Sequence, residues 1–116
     1  MKRILLRSCI VGALLLAPPV FAADGSISIL SPKDGATVMG SAQNALEFNL
    51  KQSPQGHHLH VYVDDNKPII VRQVTGCPCK VELPALSPGE HTVVVKEATA
   101  GHAPTGVEAT VHFTAK

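Results

Sequence analysis

The fold of this chain is decided by residues 57–64, which read His57-His58-Leu59-His60-Val61-Tyr62-Val63-Asp64. From Leu59 onward every second residue is aliphatic, and the residues between them are histidine or tyrosine. A period of two is typical of a β-strand that buries one face and exposes the other. The polar residues 64–68 that follow are good turn formers, so the strand is expected to end near Asp64.

The same alternation recurs on both sides of this stretch, whereas amphipathic helical periodicity is almost absent. It predicts about seven short strands, at residues 26–30, 46–50, 59–63, 69–74, 81–83, 91–97 and 107–113. Residues 35–44 and 98–106 are rich in Gly, Ala, Ser and Thr and are expected to be looser connections. The pattern predicts an all-β chain, an immunoglobulin-like or fibronectin-III-like antiparallel β-sandwich that forms one domain over residues 23–116.

The first 22 residues are predicted to be a secretory signal peptide. Lys2, Arg3 and Arg7 precede a short apolar run at residues 10–17, and small residues end the segment before cleavage after Ala22 or Ala23. The apolar run is shorter than the roughly 20 residues that cross a bilayer, so no membrane anchor is expected after cleavage. Cys9 lies before the apolar run, which argues against a lipoprotein. A periplasmic or secreted location follows.

Charge and aromatic content exclude a nucleic-acid partner. The 116 residues contain Lys+Arg 10 and Asp+Glu 9, and removal of residues 1–22 leaves seven basic against nine acidic groups. Nucleic-acid binding would normally show as a basic excess. The chain has no Trp, one Tyr and three Phe, which is too few for base-stacking platforms.

Six histidines remain in the mature chain, and His58 and His60 are the closest pair with a shared strand face. Residues two apart on a strand are about 7 Å apart, so two imidazoles can converge on one metal ion. His91 and His102 are the candidates that would complete such a site. The alternative is that His58 and His60 only line a solvent-exposed sheet face. His57 is expected in a loop and His112 on the surface.

His91 has a second interpretation. The segment Leu86-Ser87-Pro88-Gly89-Glu90-His91 occupies the place where related sandwiches carry a tyrosine that ties its side chain to the nearby backbone. His91 is therefore also a candidate for this structural corner.

Cys77 and Cys79 flank Pro78 and differ from the C-x-x-C redox motif. In an oxidising compartment a small structural disulfide is expected. If the thiols are reduced, they would bind a soft metal such as Cu(I). A redox-active or intermolecular pair is the third alternative.

Catalysis finds little support in the sequence. The chain has no G-x-S-x-G elbow and no H-E-x-x-H zinc pattern. Asp64 and Asp65 are explained by the turn they begin. A non-enzymatic protein is therefore predicted.

An ordered set of motifs resembles a family of small secreted bacterial domains of unknown function. The family has a G-H-x-H strand ending in Asp, which reads G-H-H-L-H-V-Y-V-D at residues 56–64 here, followed by an L-x-P-G-x-H turn at 86–91 and an H-x-P loop at 102–104. The resemblance implies a sandwich fold and a periplasmic or extracellular location, and it matches His60, His91 and His102 to the recurring histidines. More loosely, the chain is similar to periplasmic copper-resistance sandwiches, although their N-terminal His is replaced here by Ala23.

Taken together, these features predict an exported binding domain with a Cu or Zn site at His58, His60, His91 and His102, to which Cys77 and Cys79 could add sulfur. The first alternative is a module that recognises an envelope protein or glycan without metal. The second is a thiol–disulfide protein that uses Cys77 and Cys79.

Overall fold

A computed structural model of the chain describes residues 24–116; the predicted signal peptide, residues 1–22, lies outside the described residues. The described residues form eight strands: β1 (Ser26–Ser31), β2 (Thr37–Val38), β3 (Ala45–Lys51), β4 (His58–Val63), β5 (Ile69–Val71), β6 (Cys79–Glu82), β7 (Gly89–Ala98) and β8 (Pro104–Ala115). Within residues 24–116 there is no helix that is long and apolar enough to cross a membrane.

The strands make two sheets, one in the order β1-β3-β6 and the other in the order β2-β8-β7-β4-β5. The two sheets form a sandwich, which confirms the predicted fold class. One detail of the prediction was wrong, because residues 35–44 contain the short strand β2, which pairs with β8 in parallel. A strand of two residues is too short to show any periodicity in the sequence.

The core lies between the sheets and confirms the inward positions expected from alternation. On β4 the inward side chains are Leu59, Val61 and Val63, and all three are buried. They pack with apolar side chains of both sheets into one cluster. Because successive strand residues face opposite ways, the same alternation turns His58, His60 and Tyr62 to the outer face of the five-stranded sheet.

The connection between β7 and β8 is tighter than expected. Residues 98–106 were predicted to be loose, but β7 continues to Ala98, which pairs with Pro104 at the start of β8. His58 on β4 pairs with the same Ala98 from the other side. The hairpin loop at residues 99–103 therefore lies beside the first residue of β4, and this register positions the site described next.

Candidate metal centre

Two histidines of β4 form the first part of the site. His58 and His60 lie on the outer face, yet His58 is only 1% exposed and His60 is half-buried. A fully solvent-exposed sheet face, the alternative considered from the sequence, would leave both rings open to water. The structure instead covers the ring of His58 with neighbouring side chains, among them two other imidazoles.

The third histidine comes from the β7–β8 hairpin. Thr99 N–H donates to the Ala103 carbonyl at 2.8 Å, and His102 N–H donates to the Thr99 carbonyl at 2.9 Å. This turn holds His102 at φ 71°, the left-handed region that side-chain-bearing residues seldom adopt. Non-glycine residues in this region cluster at functional sites. The turn directs the His102 ring to the rings of His58 and His60.

Replacing His102 with glycine should make the protein more stable. Glycine removes a strain of about 1–2 kcal/mol but adds entropy to the unfolded chain, so we expect a net gain of about 0.5–1 kcal/mol. Urea unfolding would measure it. Ala100→Gly is the matched control, since Ala100 has no positive φ and its replacement should cost about 0.5–1 kcal/mol. A His102→Gly variant that is no more stable than His102→Ala, which loses the same ring but keeps the left-handed backbone, would show that the residue is not strained.

One ring nitrogen of each of the three histidines lies close to a nitrogen of the other two. His58 Nε2 lies 3.0 Å from His60 Nε2 and 3.1 Å from His102 Nδ1, and the third separation is 3.3 Å. Zn–N bonds of about 2.0–2.1 Å at tetrahedral angles keep ligand nitrogens about 3.3–3.4 Å apart. The three nitrogens therefore approximate one face of a tetrahedron around a single ion.

Hydrogen bonding alone does not account for this arrangement. Each nitrogen of a neutral imidazole carries either one N–H or one lone pair. Among three nitrogens in mutual contact, one N–H donates well to only one neighbour, so the third nitrogen is left to pair with solvent. A cation at the centre would satisfy all three lone pairs at once.

His57 contacts the far side of the His58 ring. It lies in the loop before β4, as expected, and its Nδ1 is 2.9 Å from His58 Nδ1. When His58 Nε2 binds a metal, its Nδ1 must carry the proton, and His57 Nδ1 is placed to accept that hydrogen bond. Such an outer partner fixes the tautomer and the ring orientation of a metal-binding histidine.

The pKa values of two cluster histidines are shifted in the direction that favours metal binding. Burial, followed by the neighbouring imidazole of His102, lowers the pKa of His58 and of His60 below the usual 6.5. Both effects penalise the charged ring. These two rings are accordingly neutral at pH 7, and a neutral imidazole is the form that ligates.

A buried carboxylate that the sequence analysis missed supports the loop before β4. Glu97 on β7 is 1% exposed, and its oxygens accept hydrogen bonds from Ser53 N–H, from the Ser53 hydroxyl and from the Thr105 hydroxyl. Gly56 packs directly against this carboxylate, where a Cβ atom would overlap it. Glu97 therefore anchors the segment that leads into His57 and His58. The sequence did contain a signal for this burial, because Glu97 follows Val93 and Val95 at every second position of the strand.

His91 does not join the cluster, which corrects the expectation that it would complete the metal site. It lies seven residues before Ala98, the partner of His58, so at about 3.3 Å per residue it is about 23 Å away along β7. Its Nε2 is 2.6 Å from the Ser87 carbonyl oxygen and its Nδ1 is 2.7 Å from the Asp64 carboxylate. The structure agrees with the other interpretation of His91, as the corner residue whose side chain is tied to the nearby backbone.

Both partners of His91 are acceptors, so both of its nitrogens must donate. The hydrogen bond to Ser87 and then the one to Asp64 raise the pKa of His91 above 6.5, against the effect of burial. Burial would raise the pKa of Asp64, but hydrogen bonds from His91 and from Thr92 N–H outweigh it and lower that pKa. Below this raised pKa, His91 is a buried imidazolium that ties the β6–β7 connection to the end of β4.

Removing this imidazolium should change how stability depends on pH. A raised folded-state pKa gives stability that is fully present below pH 6.5 and is lost as the pH rises through the folded-state value. We expect His91→Gln to cost about 1–3 kcal/mol at pH 6, with the difference from wild type shrinking towards pH 8.5. Urea unfolding across this range would measure it. A difference that does not vary with pH would contradict the charged state.

The sulfur atoms of Cys77 and Cys79 are joined in a disulfide, with Cα atoms 4.2 Å apart. Cys79 is buried in the core on β6, in the sheet opposite the histidine cluster. Disulfide sulfurs are not thiolate ligands, so the expectation that Cys77 and Cys79 would add sulfur to the histidine site is corrected. This intramolecular bond agrees with the structural disulfide and with the redox-active pair, and it disagrees with a thiolate pair and with an intermolecular disulfide.

The fold defines the class of the protein: the described residues form a fibronectin type III-like β-sandwich. Solved structures of the fibronectin(III)-like modules of CbhA from Clostridium thermocellum match it with a TM-score of 0.60 and 17% identity, covering 78% of this chain and 96% of that chain. At this identity the likeness shows the fold alone. No family model and no curated protein matches the chain.

Proposed function

We propose that this protein is an exported, non-enzymatic binding domain that holds a Cu or Zn ion through His58, His60 and His102. The observation that carries the proposal is the mutual approach of the three ring nitrogens, at 3.0–3.3 Å. The neutral state of His58 and His60 and the contact from His57 support it. The three histidines come from two separate segments, and a merely polar surface does not require their convergence.

The chemistry of the donors indicates which ions fit. Imidazole nitrogens suit Zn(II) and Cu(II), and divalent copper normally binds more tightly than zinc at the same nitrogen ligands. With both sulfurs in a disulfide, the thiolate preference for Cu(I) has no basis here. Three protein ligands leave a fourth position for another ligand.

The proposed location rests on the sequence and on the disulfide. Residues 1–22 have the pattern of a secretory signal, and disulfides persist mainly in oxidising compartments such as the periplasm. The resemblance to small secreted bacterial domains points to the same compartment. We therefore place the metal site outside the cytoplasm.

Isothermal titration of the purified protein with Zn(II), Cu(II) and Cu(I), each in a separate experiment, tests the proposal. We expect one saturable site per chain for Zn(II) and Cu(II), with Cu(II) tighter, and weaker binding of Cu(I). If neither Zn(II) nor Cu(II) binds saturably, the proposal is overturned.

Metal binding should weaken in acid. Protons compete with the metal for His58 and His60, whose lowered pKa values keep both rings neutral at and somewhat below pH 6.5. We expect Zn(II) affinity to be nearly constant from pH 7 to 8. Below about pH 6 it should fall about tenfold per pH unit for each ring that becomes protonated. Titrations at stepped pH would measure this, and an affinity unchanged down to pH 5 would contradict imidazole ligation.

The edge strand β5 favours a second candidate function, an interaction module for an envelope protein or glycan. β5 ends the five-stranded sheet, and its Ile70 is 40% exposed. An unpaired strand edge can add a strand from a partner. This function predicts a partner that is retained from envelope extract equally well with and without a metal chelator. Loss of the partner in Ile70→Lys, but not in Lys80→Glu on the opposite sheet, would locate the contact at β5.

A further inference from the structure

A small cleft of about 90 Å³ adjoins the candidate metal centre. Two of the three proposed ligands, His60 and His102, form part of its wall, and Tyr62 and Lys96 form another part. His58 is buried, whereas His60 is half-buried and His102 is exposed. The side of the site away from His58 is therefore the side that opens to the cleft, and a fourth ligand would enter from there.

The charges around the cleft favour an anion as that ligand. Three imidazole ligands bring no negative charge to a divalent ion, whereas thiolate or carboxylate ligands neutralise part of its charge. Glu97 also borders the cleft, but its carboxylate is on the inward face, where Ser53 and Thr105 bind it, whereas Lys96 is on the same face as His60. The double charge of a bound metal is thus left uncompensated, and bound metal ions are usually the largest local charges of a site.

Two polar groups are placed to hold the outer part of such an anion. Tyr62 Oη lies 3.5 Å from His60 Nδ1, which is too far for a good hydrogen bond and leaves the hydroxyl free to donate elsewhere. Lys96 Nζ lies 5.7 Å from the centre of the Tyr62 ring on the same wall. The cleft has room for a few waters or for a small anion.

We propose that the fourth coordination position binds a small oxyanion, with one oxygen on the metal and the other oxygens at Lys96 and Tyr62. This inference rests on the proposed metal site. The anion is a small carboxylate or an inorganic oxyanion. Both are compact, carry a negative charge and have at least two oxygens.

Protein loaded with Co(II), whose visible absorption reports the geometry of a zinc-type site, tests the inference. We expect acetate to change the Co(II) bands saturably and acetamide, which has a similar shape without the charge, to have no effect. A parallel titration with inorganic phosphate distinguishes an inorganic oxyanion from a carboxylate.

Lys96→Gln should weaken acetate binding about tenfold and change Co(II) affinity less than twofold. Lys80→Gln, an exposed lysine on β6 in the opposite sheet, is the matched control and should change neither.

The outcomes separate this inference from the proposed function. Co(II) binding without any response to acetate or phosphate would overturn the oxyanion site and leave the metal site intact. Equal acetate affinity in wild type and Lys96→Gln would overturn the assigned role of the cleft. A protein that binds none of Co(II), Zn(II) and Cu(II) would overturn both proposals.

Discussion

His60→Ala is expected to weaken Zn(II) and Cu(II) binding about 1000-fold. Loss of an outer partner of a metal ligand typically costs 10–100-fold in affinity, and loss of a ligand itself should cost more. His60 is half-buried, so its removal leaves the core unchanged, and the circular dichroism spectrum should match that of wild type. Isothermal titration with competing chelators would measure the change.

His112→Ala is the matched control for this substitution. His112 is exposed on β8, and its Nδ1 contacts the Thr92 hydroxyl at 3.1 Å, away from the cluster. Its removal should change metal affinity less than twofold. His102→Gly should lose affinity as His60→Ala does, even though the protein becomes more stable. If His60→Ala and His112→Ala had equal effects, the ion would be bound elsewhere.

Gly56→Ala is expected to destabilise the protein by about 2–4 kcal/mol. The new methyl group would overlap the buried carboxylate of Glu97. Relief of the overlap moves the carboxylate away from Ser53 and Thr105, and a buried charge without its donors is costly. Urea unfolding would measure the loss. Gly101→Ala is the control, since its new methyl group would lie 3.9 Å from its nearest neighbour, Thr99 Oγ1.

A double-mutant cycle identifies the cause of that loss. Glu97→Ala alone should also destabilise, because it leaves Ser53 and Thr105 without their acceptor. In the Gly56→Ala/Glu97→Ala double variant the overlap no longer exists, so the combined loss should be clearly smaller than the sum of the two. Additive losses would show that the carboxylate is not what the methyl group meets.

The sandwich and the position of His58 and His60 on one shared face of β4 could be predicted because period-two alternation is a local property. Each aliphatic residue of β4 must enter the core, and this turns His58 and His60 to the other face. The strand β2 and the continuation of β7 to Ala98 could not be read in this way. Both depend on pairing with β8, which alternation over a few residues does not report.

The candidate site could be predicted only in part, because it too depends on strand pairing. His102 was named as a candidate, but its convergence with His58 depends on the pairing of Ala98 with both His58 and Pro104. His91 was placed in the same site because spacing along the chain does not tell which end of a long strand a residue occupies. Glu97 was overlooked, although its inward register was visible, because its donors lie on distant segments.

The sequence by itself determined the alternation of aliphatic and polar positions and which two histidines share one face of β4, because side-chain direction alternates along a strand. Only the tertiary structure decided that His102 meets His58 and His60 while His91 is bound to Asp64 and Ser87. The physical reason is that strand register and hairpin length set distances between segments, and metal coordination depends on separations of tenths of an ångström.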